Sequence, residues 1–205
     1  MRRLVVLIVA VALIISGCSL IPSWRRAPDG ASLSGAEAER IIAKRAHEAF
    51  DAIKNGDMKR LAALVHPDLG VRFSPYGHIR PEADGDVVLK REQLSGAMSD
   101  QTVRLWGHYD GSGEPINLTF ADYFKRFVGD RDWTAAPQVA YNNVIGQGNT
   151  LINIRAVYPH AIYVEAHYPG SEQYGGMDWS SLRLVFEAKG NTWYLVGIVH
   201  DQWTI

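Results

Sequence analysis

The apolar positions change period along the chain. Between Ala36 and Lys54, residues Ile42, Ala46, Ala49, Phe50 and Ile53 recur at spacings of three and four, which predicts a helix with one buried face. Ser34 or Gly35 can cap its start, and Asn55-Gly56-Asp57 stops it. Asp57 then caps a shorter helix whose apolar set is Met58, Leu61, Ala62, Leu64 and Val65. His66-Pro67 ends that helix, because proline disfavours helical geometry in the residue before it. Val71–Ser74 alternates as a short strand, 75–86 reads as a loop, Val87–Lys90 as a strand and Glu92–Met98 as a short helix. Val103–Tyr109 reads as a strand and Asp110–Pro115 as a loop. Thr119, with Asp122 three residues on, opens a helix that carries Phe120, Phe124 and Phe127. Beyond about Gln138, β-branched and aromatic residues predict strands over Leu151–Tyr158, Ala161–Tyr168, Leu182–Lys189 and Thr192–Asp201. Helices followed by a run of strands predict an α+β fold, with the N-terminal helices packed on one face of a curved antiparallel sheet.

The last two strands flank Gly190-Asn191, a two-residue hairpin turn. A regular register pairs Lys189 with Thr192 and sets Leu184 opposite Gly197. One face then carries Leu182, Leu184, Phe186, Trp193, Leu195 and Val199. The other carries Ser181, Arg183, Val185, Val196, Ile198 and His200. Both faces are apolar enough to predict a central hairpin covered on both sides. Arg183 on such a face needs an anion or a carbonyl. An internal partner would be Asp178 or Glu165, with His200 as a diagonal neighbour; the other reading makes Arg183 an anchor for an anionic ligand.

The first residues read differently. Arg2 and Arg3 precede an unbroken apolar run from Leu4 to Ile15, 12 residues long. A membrane span needs about 20, so the run suits the core of a signal peptide. Ile15-Ser16-Gly17-Cys18 follows it and resembles the bacterial lipobox, in which the cysteine is diacylated and becomes the mature N-terminus. The resemblance implies a signal peptide over 1–17, a lipidated tether over 18–35 and one α+β domain over 36–205. Removing 17 residues, two of them arginine, leaves 188 residues with a formal charge of −3. Two acyl chains anchor stably where one is marginal. The partner so implied is a lipid bilayer, with the domain on the extracytoplasmic side of the cell membrane or outer membrane. Residues 19–35 carry Pro, Gly and Ser without periodicity, as a tether does.

The composition is 47% hydrophobic and 21% charged, with a net charge of −1 for the whole chain. Wholesale disorder is excluded, as is a basic nucleic-acid binder. With Cys18 the single cysteine, no internal disulfide and no cysteine-based zinc site can form.

The opening order of helix, Asn55-Gly56-Asp57, short helix and apolar strand, together with the closing strand Trp193–His200, resembles the cone-shaped NTF2-like superfamily. Cystatin-like folds share the layout of helix on curved sheet and are the alternative. The segments Val71–Tyr76, Trp106–Gly113 and Met177–Glu187 are similar to those of uncharacterised bacterial lipoproteins and secreted proteins.

Catalytic signatures are sparse. The chain lacks Gly-x-Ser-x-Gly and a phosphate-binding loop, and Gly146-x-Gly148 lacks the third glycine of a dinucleotide fingerprint. His47-Glu48 begins like a zinc-protease motif, but Asp51 stands where the second histidine belongs. Asp110-Gly-Ser-Gly-Glu114 offers too few alternating oxygens for a calcium loop. No cofactor and no metal is therefore expected. The histidines are scattered, and His66 and His160 sit beside prolines in turns where exposure is the default. His200-Asp201 cannot converge on a regular strand, where successive side chains oppose. Three readings follow. The preferred one is a lipoprotein domain that binds a small ligand or an envelope protein without catalysis. The second is an isomerase- or dehydratase-type enzyme of the kind that some NTF2-like proteins exemplify. The third is an interaction module using Trp106, Trp133 and Trp179, although loop tryptophans are more often lids on the core. In the ligand or enzyme reading the available players are Arg183, His200, Asp178 and Tyr76.

Overall fold

The computed structural model describes residues 27–82 and 85–204. The signal-peptide expectation over 1–17 and the acylation expectation at Cys18 lie outside the described residues. Among the described residues no helix is long and apolar enough to cross a membrane.

Helix α1 (Gly35–Lys54) starts in a capping box: the Ser34 hydroxyl accepts from the Glu37 N–H, and the Glu37 carboxylate accepts from the Ser34 N–H. Its buried positions include Ile42, Ala46, Ala49, Phe50 and Ile53, the set that the spacing predicts. Asp57 caps α2 (Met58–Leu64), accepting from the Arg60 N–H at 2.9 Å. After β1 (Val71–Ser74), β2 (Val87–Leu89) and α3 (Arg91–Ser95) comes a two-stranded ribbon, β3 (Arg104–His108) with β4 (Pro115–Leu118). Thr119 caps α4 (Phe120–Phe127). The chain closes through β5 (Gln138–Tyr141), the short helix α5 (Ile154–Val157), β6 (Ile162–Tyr168), β7 (Ser180–Lys189) and β8 (Thr192–Gln202).

The result is an α+β protein built on a large curved sheet of order β2-β1-β8-β7-β6-β5. Two expectations about strand direction and element type need correction. The sheet is mixed: β1 runs parallel to β8, because the chain crosses the whole domain between them. Leu151–Tyr158 is not a strand; α5 there lies on the sheet's second face, with Ile154 buried against it.

One face of the sheet carries the main core. Leu182, Leu184, Phe186, Leu195 and Ile198 pack with α1, α2 and an aromatic group from β1, β3 and α4. Trp106 stacks on Tyr123 with ring centres 4.0 Å apart, and Phe73 meets Phe120 edge-on at 5.5 Å. The Trp106 indole N–H donates to Leu118 O, and that of Trp133 to Val128 O. Both tryptophans are therefore core residues. The other face carries Ile79, Tyr163, Val185, Val196 and Val199, covered by Val144, Ile152 and α5.

The β7–β8 hairpin departs from a regular register. Lys189 pairs with Thr192 and Phe186 with Leu195 as predicted, but Val185 then pairs with Gly197 and Leu184 with Ile198. Val196 is the extra residue of a β-bulge, and it reverses the parity of the rest of β8. Ile198 and His200 move to the main-core face, while Val199 and Asp201 move to the face of Arg183.

The end of the expected tether is part of the domain. Gly30 is buried, its N–H donates to His160 O at 3.0 Å, and Asn142 donates to the carbonyls of Gly30 and Leu33. A side chain at Gly30 would lie 2.6 Å from the Ala161 backbone.

Candidate functional site

Arg183 is fully buried on the second face. Its Nε donates to Glu165 at 3.0 Å, Nη1 to Asp201 at 2.8 Å, and Nη2 to Gly146 O at 2.6 Å and again to Glu165 at 3.1 Å. Glu165, the residue opposite Arg183 on β6, also accepts from the N–H groups of Ile145 and Gly146 and from the Ser181 hydroxyl. Burial pushes the Asp201 carboxyl up, against the pull of the Arg183 charge. Glu165 was one of the two partners foreseen; Asp201 takes the place given to Asp178, and the bulge removes His200 from the neighbourhood. The guanidinium is thus satisfied by protein groups.

His200 lies on the opposite face, fully buried, with its ring edge-on to Phe127 at 5.7 Å. Its Nδ1 faces Pro75 O at 3.2 Å and its Nε2 faces Asp130 at 3.3 Å. Tyr76 also packs edge-on against Phe127, at 6.0 Å, and lines a cleft of about 230 Å³ with His78, Arg80, Asp86 and His108. Burial raises its phenol above the ordinary value.

Asp178 lines a different cleft, of about 390 Å³, where the ends of β7 and β8 meet the turn after α4. Both of its oxygens are engaged by Ser171, through the N–H at 2.6 Å and the hydroxyl at 2.9 Å. The Ser171 N–H, its hydroxyl and the nearby Arg131 charge hold this carboxyl below the usual range, burial opposing them. Asp130 lines the same cleft, so His200 touches it only from behind. Arg126, Arg131, Ser180 and Trp203 also line it. The four residues foreseen from the sequence therefore occupy three places: Arg183 alone behind the sheet, Tyr76 in one cleft, and Asp178 with the Asp130–His200 pair in another.

The larger of these two clefts offers hydrogen-bond donors beside exposed apolar surface, from Trp203 and Met177. It has no sequence signature, because Arg126, Asp130, Arg131, Ser180 and Trp203 come from separate stretches of chain. Asp201 had a signal in print beside His200, but regular alternation set it on the wrong face.

No family model matches the chain, and no curated protein does. Among solved structures it is similar to a calcium/calmodulin dependent protein kinase II association domain from Xanthomonas campestris. The two are 12% identical over 87% of this chain and 93% of that one, with a TM-score of 0.33.

Proposed function

We propose that this chain is a bacterial lipoprotein, anchored through acylated Cys18 on the extracytoplasmic side of a membrane, whose NTF2-like domain binds a small ligand or an envelope protein without catalysis. The lipobox-like Ile15-Ser16-Gly17-Cys18 supports the anchor. The helix pair α1–α2 on one face of the sheet, closed by strand β8, supports the NTF2-like assignment. One observation carries the binding reading: Arg183, Tyr76 and Asp178 lie in three separate places, while the cleft beside Asp178 gathers donors against exposed indole.

The enzyme reading has one feature in its favour, the Asp130–His200 contact at that cleft. His200 is sealed behind Asp130 between Phe127 and Trp133, so its ring cannot reach a substrate proton. Binding without chemistry is the better reading.

The anchor is tested by replacing Cys18 with Ser and fractionating the cells. The variant is expected in the soluble extracytoplasmic fraction or retained as unprocessed precursor. A fully processed variant held in the membrane like the wild type contradicts the proposal.

A further inference from the structure

The cleft between the ends of β7 and β8 and the turn after α4 has a chemical bias, set by which of its polar groups are already spoken for. Its two carboxylates are engaged unequally: both oxygens of Asp178 accept from Ser171, and one oxygen of Asp130 faces His200. Its two guanidiniums keep donors unspent among the described residues. Arg126 lies 5.3 Å over the Phe127 ring and makes no hydrogen bond or ion pair among the described residues. Arg131 spends one N–H on Asp178 O at 2.9 Å and rests 5.1 Å over Tyr168. A third group is unspent. Ser180, 3% exposed, has a buried hydroxyl without a partner among the described residues, and it lines the cleft. A buried hydroxyl left unpaired costs free energy, and a ligand that bonds it recovers that cost. The apolar part of the wall is Met177, Trp179 and Trp203, with Trp203 40% exposed.

Spare donors select an anion, and a guanidinium favours a carboxylate, which it can hold with two parallel hydrogen bonds. Exposed indole selects a flat apolar face. An extended peptide has no sheet edge to join here, since β7 is paired to β6 and β8, and β8 to β7 and β1. A uronic acid combines one carboxylate, several hydroxyls and an apolar C–H ring face, and about 390 Å³ lies in the size range of small-molecule sites. The geometry points to this cleft as a binding site for an acidic saccharide, its carboxylate on Arg126 and Arg131, a hydroxyl on Ser180 and its ring face on Trp203. The inference rests on the binding reading above and is independent of the anchor.

The test is a titration of the full-length chain in a non-ionic detergent with trigalacturonate and, separately, with neutral galactotriose. The indole N–H resonances of Trp179 and Trp203 are followed by NMR. Trigalacturonate is expected to shift both, and galactotriose to bind about tenfold more weakly or worse. Arg126→Gln and Trp203→Ala are each expected to weaken trigalacturonate by about tenfold while leaving the thermal midpoint within a few degrees of the parent. Ser180→Ala, a buried and conservative change, is a second variant expected to weaken it. Trigalacturonate that leaves both indoles unmoved overturns the site. Equal affinity for galactotriose overturns the anionic part and leaves the binding reading standing. An acetylated dipeptide carboxylate that shifts the same indoles more strongly than trigalacturonate overturns the saccharide in favour of a peptide terminus.

Discussion

Arg183 and Asp201 meet at 2.8 Å behind the sheet, although a regular hairpin closed by Gly190-Asn191 would set them on opposite faces. Val196 makes the difference. Inserted between the pairs Phe186–Leu195 and Val185–Gly197, it turns Asp201 toward Arg183 and His200 toward Phe127. The same bulge thus supplies a buried carboxylate to a buried guanidinium and takes a histidine away from it. Asp201 and Glu165 then share one cation, and the pairing is internal to the fold.

Arg183→Met is expected to destabilise by about 3–5 kcal/mol, because it strands two buried carboxylates. Urea denaturation at neutral pH measures it. A neutral or stabilising outcome would mean that the carboxylates reach water or protonate at little cost.

Phe186→Ala is expected to cost about 3–5 kcal/mol, the range for truncating a buried phenylalanine. Phe186 is fully buried and sits opposite Ile162 on β6 and Leu195 on β8, just before the bulge. A shift worth less than about 1 kcal/mol in the denaturation midpoint would contradict that packing.

Gly30→Val tests the docking of residues 29–33. The new Cβ would meet the His160 and Ala161 backbone at 2.6 Å, and backbone cannot step aside as a flexible side chain can. A cost of about 1–3 kcal/mol is expected, with faster hydrogen exchange at the Gly30 N–H that donates to His160. Unchanged exchange at that amide would show that the segment stays seated.

Acid should weaken the fold through His66. Its Nδ1 accepts from the N–H groups of Asp68 and Leu69, and burial pushes its pKa below the ordinary value. The proton is therefore taken up more readily by the unfolded chain. The stabilisation is complete above about pH 6.5 and is lost as pH falls toward the depressed folded value. His167, also lowered by burial, acts in the same direction. A proton-NMR titration is expected to place the folded His66 pKa below about 6.5. A higher value, or a denaturation midpoint that rises between pH 7 and pH 5 and does so only with His66 present, would contradict this assignment.

Local rules read α1, α2 and α4 with their caps, because Ser34, Asp57 and Thr119 bond N–H groups three residues away and need nothing else from the fold. The Gly190-Asn191 turn is legible for the same reason, as are the apolar identity of both faces of β7 and β8 and the need of Arg183 for a buried partner. His66 was not legible. Its place in a turn suggested exposure, but the turn is pinned where its N–H donates to Leu195 O, and its ring is buried against Tyr194.

The sequence by itself determined the α+β class, the helical elements and the chemical demand of each buried polar residue, since propensity, capping and side-chain period act over a few residues. Tertiary structure decided the parallel pairing of β1 with β8, the face on which Asp201 and His200 lie, and the meeting of Arg126, Arg131, Ser180 and Trp203 in one cleft. Each of these depends on how distant stretches of chain register against one another. In β8 one inserted residue reverses every side chain beyond it, and a period of two carries no mark of where that residue falls.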